Sequence, residues 1–501
     1  MEPKREQWNS KMGFILAAIG SAVGLGNIWR YPYMVYSNGG GAFLIPYFVA
    51  IFTAGIPIVI LEYGFGHKYR GSAPLAFARA NKKYEWLGWL PSVGSFMILT
   101  YYTIILSWAL NYVGLAFSKG WGQDTNAFFF NDFLKISAGP SHLGGVRPII
   151  ILGITLLWVI NWFICFNGVS GGIEKLNKIL LPTLVIIMII IAIRGITLPG
   201  ASLGLNKLFT PDWSKVMDPK VWISAYGQVF YSLSLAMGIL ITYSSYLPEK
   251  TDINNSALIT AFANSGFEFL SAIGVFAILG YMATTQGVGV DEVATQGIGL
   301  AFVVFPKVFS MMGSIGTVFG VLFFLCLVFA GLTSCVSLIE AFSAAVIDKT
   351  GVSRKKIVTI TAVGGYIISI IYTTGAGLYF LDIVDAFINS YSILIVGLIE
   401  CIVLGWVIGA KNIREHNNSM SIYSIGKWWD VLIKYVTPIM LTYIIITNFI
   451  NEMKNPYGGY PRSALMIIGG GILIVIVVSS IIASKRPWKK GTLDLEGQEV
   501  K

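Results

Sequence analysis

Residues 17–33 read AAIGSAVGLGNIWRYPY. The run is apolar enough to enter a bilayer, yet Gly20, Gly24 and Gly26 sit beside Ser21 and Asn27 at its middle. Each glycine inside a helix costs about 1 kcal/mol relative to alanine, so three of them in seven residues make a poor continuous span. A second stretch of the same kind, GQVFYSLSLAMGILITY at 227–243, carries Ser232, Ser234 and Gly238. Both segments are expected to be broken helices, although small residues also serve close helix packing in membranes.

The rest of the chain supplies the setting. Of 501 residues, 55% are hydrophobic and 12% charged, against about 25% charged in soluble domains, and the mean hydropathy is +0.71. A water-soluble globular enzyme is excluded, and an all-α integral membrane protein is the reading. The net charge of +10 comes from 35 Lys and Arg spread in short clusters between apolar runs, with no basic domain of the kind that binds nucleic acid. Cys165, Cys326, Cys335 and Cys401 all lie in apolar runs without CxxC spacing and read as packing residues. The charged start, MEPKREQWNSKMG, has no small-residue cleavage site before a long apolar stretch, so the first helix is expected to stay in the protein.

Apolar runs bounded by charges or turn residues fall at 12–37, 41–67, 86–118, 148–165, 172–196, 221–246, 255–283, 303–346, 357–374, 378–410, 431–450 and 463–484. Twelve transmembrane helices are expected. With the N-terminus inside, roughly two thirds of the Lys and Arg fall on the cytoplasmic side, as the positive-inside rule asks, and an even helix count puts both termini there. The broken segments are the first and the sixth. Five segments apart is the spacing of two inverted repeats whose discontinuous first helices face each other at mid-membrane, here 12–196 (helices 1–5) and 221–410 (helices 6–10). Helices 11–12 occupy 431–484, flanked by polar tails at 1–11 and 485–501.

Unwound backbone survives at membrane depth only where protein or a polar cavity satisfies it. Carbonyls at Gly20, Ala22 and Val23, the amides of Asn27 and Asn264, and the hydroxyls of Ser232, Thr333 and Ser334 supply neutral oxygens that suit a hard monovalent cation. His67, His142 and His416 are scattered over loops or loop edges, so no metal cluster or His-based catalytic group is expected, and no nucleophile with a partnering base is visible. Charges in or beside spans are functional candidates by default: Arg30, Glu62, Glu268, Asp385 and Glu400. Arg30 and Asp385 end up at the outer ends of segments 1 and 10, as a closable ion pair or as two charges snorkelling to the surface. Glu62 and Glu400, if adjacent, must share a proton.

The run GSAVGLGNIWRYPYMVYSNGGGAFLIPY (20–47), with SLSLAMG (232–238) and AGLTS (330–334), resembles the neurotransmitter:sodium symporter family, most closely its bacterial amino-acid transporters of the leucine and multi-hydrophobic types. The resemblance runs from Arg5 to about segment 12. It implies a leucine-transporter-type fold of 5+5 inverted repeats and two sodium sites. The first would use the Ala22 carbonyl, Asn27, Ser232, Asn264 and the substrate's carboxylate, which couples ion and substrate. The second would use the carbonyls of Gly20, Val23 and Ala330 with the hydroxyls of Thr333 and Ser334.

The same resemblance implies a substrate site on Ser21, Ala22, Gly24, Gly26 and Ser232, with a side-chain pocket of Ile98, Tyr102, Tyr231, Ser234, Met237, Ser334 and Leu338. Amine carriers of the family have an Asp where this chain has Gly24, so an α-amino acid is expected. Chloride-dependent relatives have a small hydroxyl residue where this chain has Glu268, so no chloride requirement is expected; Glu268 would supply the charge and pick up a proton on the return step. Met237 replaces a Phe of the leucine type, and its adaptable thioether favours large hydrophobic or aromatic substrates. Ser21, Ser232, Tyr231 and Ala236 replace Asn, Thr, Phe and Gly, which leaves the oxygen ligands in place and the pocket volume open.

An outer gate of Tyr102 and Tyr231 beneath Arg30–Asp385, assisted by Gln228, is implied, as is an inner gate of Arg5 and Asp348 with Trp8, Ser245 and Tyr246 around them. Gly172 and Pro182 have the spacing of relatives whose fifth helix unwinds. The expected activity is sodium-coupled symport of hydrophobic or aromatic L-amino acids across the cell membrane by alternating access. A non-transporting amino-acid sensor, a channel and a symporter for a different small amino acid remain as rivals. Short external loops lacking an outward Asn-X-Ser/Thr acceptor favour a bacterial cytoplasmic membrane.

Overall fold

A computed structural model describes residues 5–295 and 297–494; the outermost parts of both expected tails, 1–4 and 495–501, lie outside the described residues. Among those described, the chain is helical, with one isolated antiparallel bridge between Val146 and Thr374 and no strand. Ten helices are long and apolar enough to cross a membrane, and an eleventh crossing is a bent pair. That pair is α1 (Lys11–Ala22) and α2 (Leu25–Ser37), which meet at 57°. The remaining expected span, 221–246, is divided between α7 (Pro219–Ser232) and α8 (Ile239–Ser244). Each piece is too short to cross by itself at 1.5 Å per residue.

The others, in chain order, are α3 (Gly40–Tyr69), α4 (Glu85–Ser118), α5 (Pro148–Phe166), α6 (Val169–Ile196), α9 (Ile253–Gln286), α10 (Ile315–Thr350), α11 (Arg354–Thr373), α12 (Gly377–Val407), α13 (Lys427–Gly459) and α14 (Arg462–Lys485). The expected span 303–346 is really a separate helix, Gly297–Met311, and α10. The long, mostly buried α10 lies against α4, α1, α6 and α8, so both broken helices rest on one rigid post. At the rim, Met466 and Ile467 of α14 and Ile439 of α13 are exposed, as residues facing lipid tails must be.

The two breaks have different causes. α1 ends because Val23 turns extended (φ −73°, ψ 102°) and Gly24 follows (φ −134°, ψ −165°). The Asn27 side chain then accepts the Gly24 N–H at 2.9 Å and caps the restart. Between α7 and α8 the backbone passes through the left-handed region at Ser234 (φ 54°), Ala236 (φ 57°) and Gly238 (φ 70°). Two of these carry a Cβ, which the left-handed region penalises by about 1–2 kcal/mol each. Neighbouring side chains take up the freed backbone groups. Ser95 Oγ donates to the Met237 carbonyl (2.7 Å), the Ala236 N–H donates to Glu62 Oε1 (2.8 Å), and the Leu25 N–H donates to the Tyr102 hydroxyl (3.2 Å).

α6 does not unwind after Gly172. It opens with a π-helical turn over Val169–Ile173 and continues helically through Pro182. A Cβ on Gly172 would stand 1.9 Å from the Ile164 carbonyl oxygen, so the glycine serves a close approach to α5.

Candidate functional site

The residues around the two breaks are drawn together. Asn27 Nδ2 donates to Asn264 Oδ1 (2.8 Å), and Asn264 Nδ2 donates to Ser232 Oγ (3.1 Å), so α2, α9 and α7 are joined by one buried chain of neutral polar groups. Each amide oxygen keeps a lone pair beyond the bond it accepts. Ser234 Oγ donates to the Ser21 carbonyl across the breaks at 2.9 Å. On α10 the Thr333 and Ser334 hydroxyls donate to the Ala330 carbonyl (2.9 and 3.1 Å), which puts three of the expected second-site oxygens within one helical turn, facing α1. The chemistry of this donor set, uncharged oxygens walled off from solvent, fits a monovalent cation.

A cavity of about 50 Å³ opens between the breaks, lined among others by Ala22, Gly24, Ile98, Tyr102, Met237 and Leu338. It is large enough to admit water, and no acidic or basic side chain reaches its wall. A Cβ on Gly24 would lie 3.0 Å from the Tyr102 hydroxyl and 3.2 Å from Ser334 Oγ; one on Gly26 would lie 2.3 Å from Tyr231 Cε1. The first broken helix thus presents bare backbone to this cavity. A larger cavity, about 220 Å³, lies between α12 and α13 and touches neither break.

The outer gate differs from expectation. Arg30 and Asp385 make no ion pair. The Arg30 guanidinium stacks over the Tyr231 ring at 4.8 Å, while Asp385 accepts bonds from the Tyr101 hydroxyl (2.8 Å) and Asn389 (2.9 Å). Gln228 does not assist them either; its amide donates to Glu268 Oε1 at 2.6 Å. Glu268, fully buried on α9, also accepts the Tyr47 hydroxyl, so its carboxylate is held by two donors from α3 and α7.

The residues of the expected inner gate are joined to one another. Arg5 meets Asp348 with Nη1 at 2.9 and 3.1 Å and Ser245 Oγ with Nη2 at 2.8 Å, and lies over the Tyr246 ring at 4.9 Å. Asp348 holds Arg5 in its charged form, above the ordinary arginine range, against the opposing effect of burial. Trp8 is buried and donates to the Tyr243 carbonyl (2.8 Å). Sequence reasoning missed the supports: Ser72 N–H on Asp348 (2.9 Å), Tyr246 hydroxyl on Glu340 (2.7 Å), and Arg354 gripping the same Glu340. A Glu and an Arg fourteen residues apart across a helix turn at 347–353 were the available signal.

Glu62 and Glu400 are both buried and within electrostatic reach of each other, with Glu62 serving the backbone at Ala236. The histidines are not all scattered. His67 and His416, distant in sequence, meet at 3.0 Å because α3 ends where the helix Ala410–Asn418 passes. All four cysteines are buried and unpaired.

Two interrupted helices around a buried, uncharged oxygen cluster are the arrangement of secondary transporters with a site at the membrane midplane. The chain belongs to the sodium:neurotransmitter symporter family, whose profile matches residues 5–128 and 121–487. It is 45% identical over 488 residues to an uncharacterized sodium-dependent transporter of Methanocaldococcus jannaschii, covering 97% of this chain and 99% of that one. It is 32% identical over 490 residues to the human sodium- and chloride-dependent GABA transporter 2 (89% of this chain, 80% of the relative). The human sodium- and chloride-dependent taurine transporter is 29% identical over 510 residues (92% and 82%). The protein is therefore a multi-pass, sodium-dependent membrane transporter of a small molecule, and not an enzyme.

Proposed function

We propose that the chain imports hydrophobic or aromatic L-α-amino acids with two sodium ions by alternating access, without chloride, with both termini cytoplasmic and 12–196 and 221–410 as its inverted repeats. The observation that carries this is the cavity wall: beside Gly24 and Gly26, which bring no side chain, there is no acidic side chain, so the carboxylate that completes a cation's shell is the substrate's own. Ion and substrate then raise each other's affinity by the same factor. Asn27, Asn264 and Ser232 would hold one ion; the Gly20, Val23 and Ala330 carbonyls with Thr333 and Ser334 would hold the other. Tyr102 and Tyr231 cover the substrate from outside, and the Arg5–Asp348 pair must part for release inward.

Chloride independence is supported by Glu268, a carboxyl group of the chain itself, hydrogen-bonded to Tyr47 and Gln228, where an anion would otherwise be required. A smaller amino acid is the second reading, favoured by the small cavity. Binding of radiolabelled Trp, Leu, Ala and Gly to the purified protein, in sodium or potassium and with chloride or gluconate, separates these. The wild type should bind Trp or Leu in sodium with either anion. Glu268→Ser should lose at least ten-fold in affinity in gluconate and recover it in chloride; binding of the variant that ignores chloride contradicts the role given to Glu268.

A further inference from the structure

Asn177 lies on α6, fully buried, one turn above the π-helical start of that helix. Its Nδ2 donates to the Ile173 carbonyl one turn back at 2.9 Å. That bond fixes the orientation of the amide, because the reverse would set two acceptors against each other. Oδ1 accepts no hydrogen bond from any described group of the protein. It is the atom nearest to the place where a Gly20 side chain would be: a Cβ there would stand 2.0 Å from Asn177 Oδ1 and 3.3 Å from Thr333 Cβ. The nearby hydroxyl is not turned to it, since Thr333 Oγ1 donates within its own helix to Ala330 and Phe329.

Leaving an amide acceptor unmatched in a dry interior is unfavourable, and a hydrophobic residue here would avoid it. A cation coordinated between Gly20 and Thr333 would want a further neutral oxygen at this place, and Asn177 Oδ1 stands there. We propose that the amide oxygen of Asn177 is an additional ligand of the inner sodium site, contributed by α6. The proposal rests on the reading above that Gly20, Val23, Ala330, Thr333 and Ser334 hold sodium.

The placement gives the ligand a mechanical meaning. The start of α6 is clamped to the inner gate segment. Glu174 accepts from the Asn9 N–H (2.8 Å) and the Ser10 hydroxyl (3.0 Å), and Glu6 accepts from the Val169 N–H (2.6 Å). A cation bound between α1, α10 and Asn177 therefore ties together three helices, of which α1 and α6 are also joined at the cytoplasmic end. Loss of the ion would release the joint at Asn177 and leave the cytoplasmic hydrogen bonds as the remaining tie between the two helices.

The test is thermal unfolding of the purified full chain against sodium chloride, with choline chloride keeping ionic strength constant. A ligand that binds only the folded state raises the midpoint with its own saturation curve. The wild type should be stabilised by sodium, and Thr333→Ala should move the half-saturating concentration upward. Asn177→Leu, close in volume, should move it at least ten-fold upward; Asn177→Ser, which shortens the reach, should do so several-fold; the isosteric Asn177→Asp should move it downward. If Thr333→Ala shifts the curve while Asn177→Leu and Asn177→Ser keep the wild-type half-point, Asn177 is packing only and the proposal is overturned. Should Asn177→Leu fail to fold, the Ser and Asp variants decide by the same criterion. If sodium does not stabilise even the wild type, the sodium-site reading itself falls and takes the proposal with it.

Discussion

Gly26 is glycine because Tyr231 stands where its side chain would go, and the same argument reads Gly24 against Tyr102 and Ser334. At this scale a methyl group is a direct probe of the lid. Gly26→Ala must push the Tyr231 ring aside, and overpacking of this kind costs about 1–3 kcal/mol, so substrate binding should weaken by about ten-fold or more. Gly227→Ala, whose added carbon meets nothing within 4 Å, should bind as the wild type does; equal behaviour of the two variants would contradict the lid geometry. The residues that meet at the breaks were legible because the motifs there place them in the sequence itself. Tyr101 was not, because its partner Asp385 is reached only across helices, whereas Asn389 meets Asp385 from one turn further along the same helix, α12. For the same reason Gln228 was assigned to Arg30, when its amide points to Glu268.

Among elements, hydropathy located most spans to within a few residues, since a bilayer-length apolar run bounded by charges leaves little choice. It failed where composition does not change at a turn. Residues 303–346 are apolar on both sides of the reversal at Met312–Ser314, where Gly313 stands at φ 64°, so the short MGSIG run was the only mark it left. It also gave no hint that His67 and His416 would meet. His67 Nε2 lies 2.9 Å from the Pro248 carbonyl and must carry the proton there, so its Nδ1 accepts from His416 Nε2–H. Burial, with His67, Lys68 and Arg70 nearby, lowers the His416 imidazole to about 3. A histidine unfolded at about 6.5 and lowered on folding contributes stability that is whole above 6.5 and lost as pH falls toward 3. The unfolding midpoint should therefore drop between pH 7 and pH 5, and His416→Gln should flatten that drop. A variant with the wild-type slope would show that other groups dominate.

For the whole molecule, the two gates are not in the same condition. The inner one is salt-bridged and braced by Glu340 and Arg354, while Arg30 and Asp385 are held apart by other partners. In the proposed orientation the transporter is shut inside and unlatched outside, placed to receive solute from outside, and the membrane potential favours inward movement of each sodium ion by about 2.3 kcal/mol per 100 mV. The most direct test is uptake of radiolabelled Trp and Leu into proteoliposomes under an inward sodium gradient, with an inside-negative potassium diffusion potential imposed or abolished. Uptake above equilibrium that requires sodium, ignores chloride and rises with the potential is the predicted result. Sodium-dependent binding with no accumulation under any gradient would contradict it.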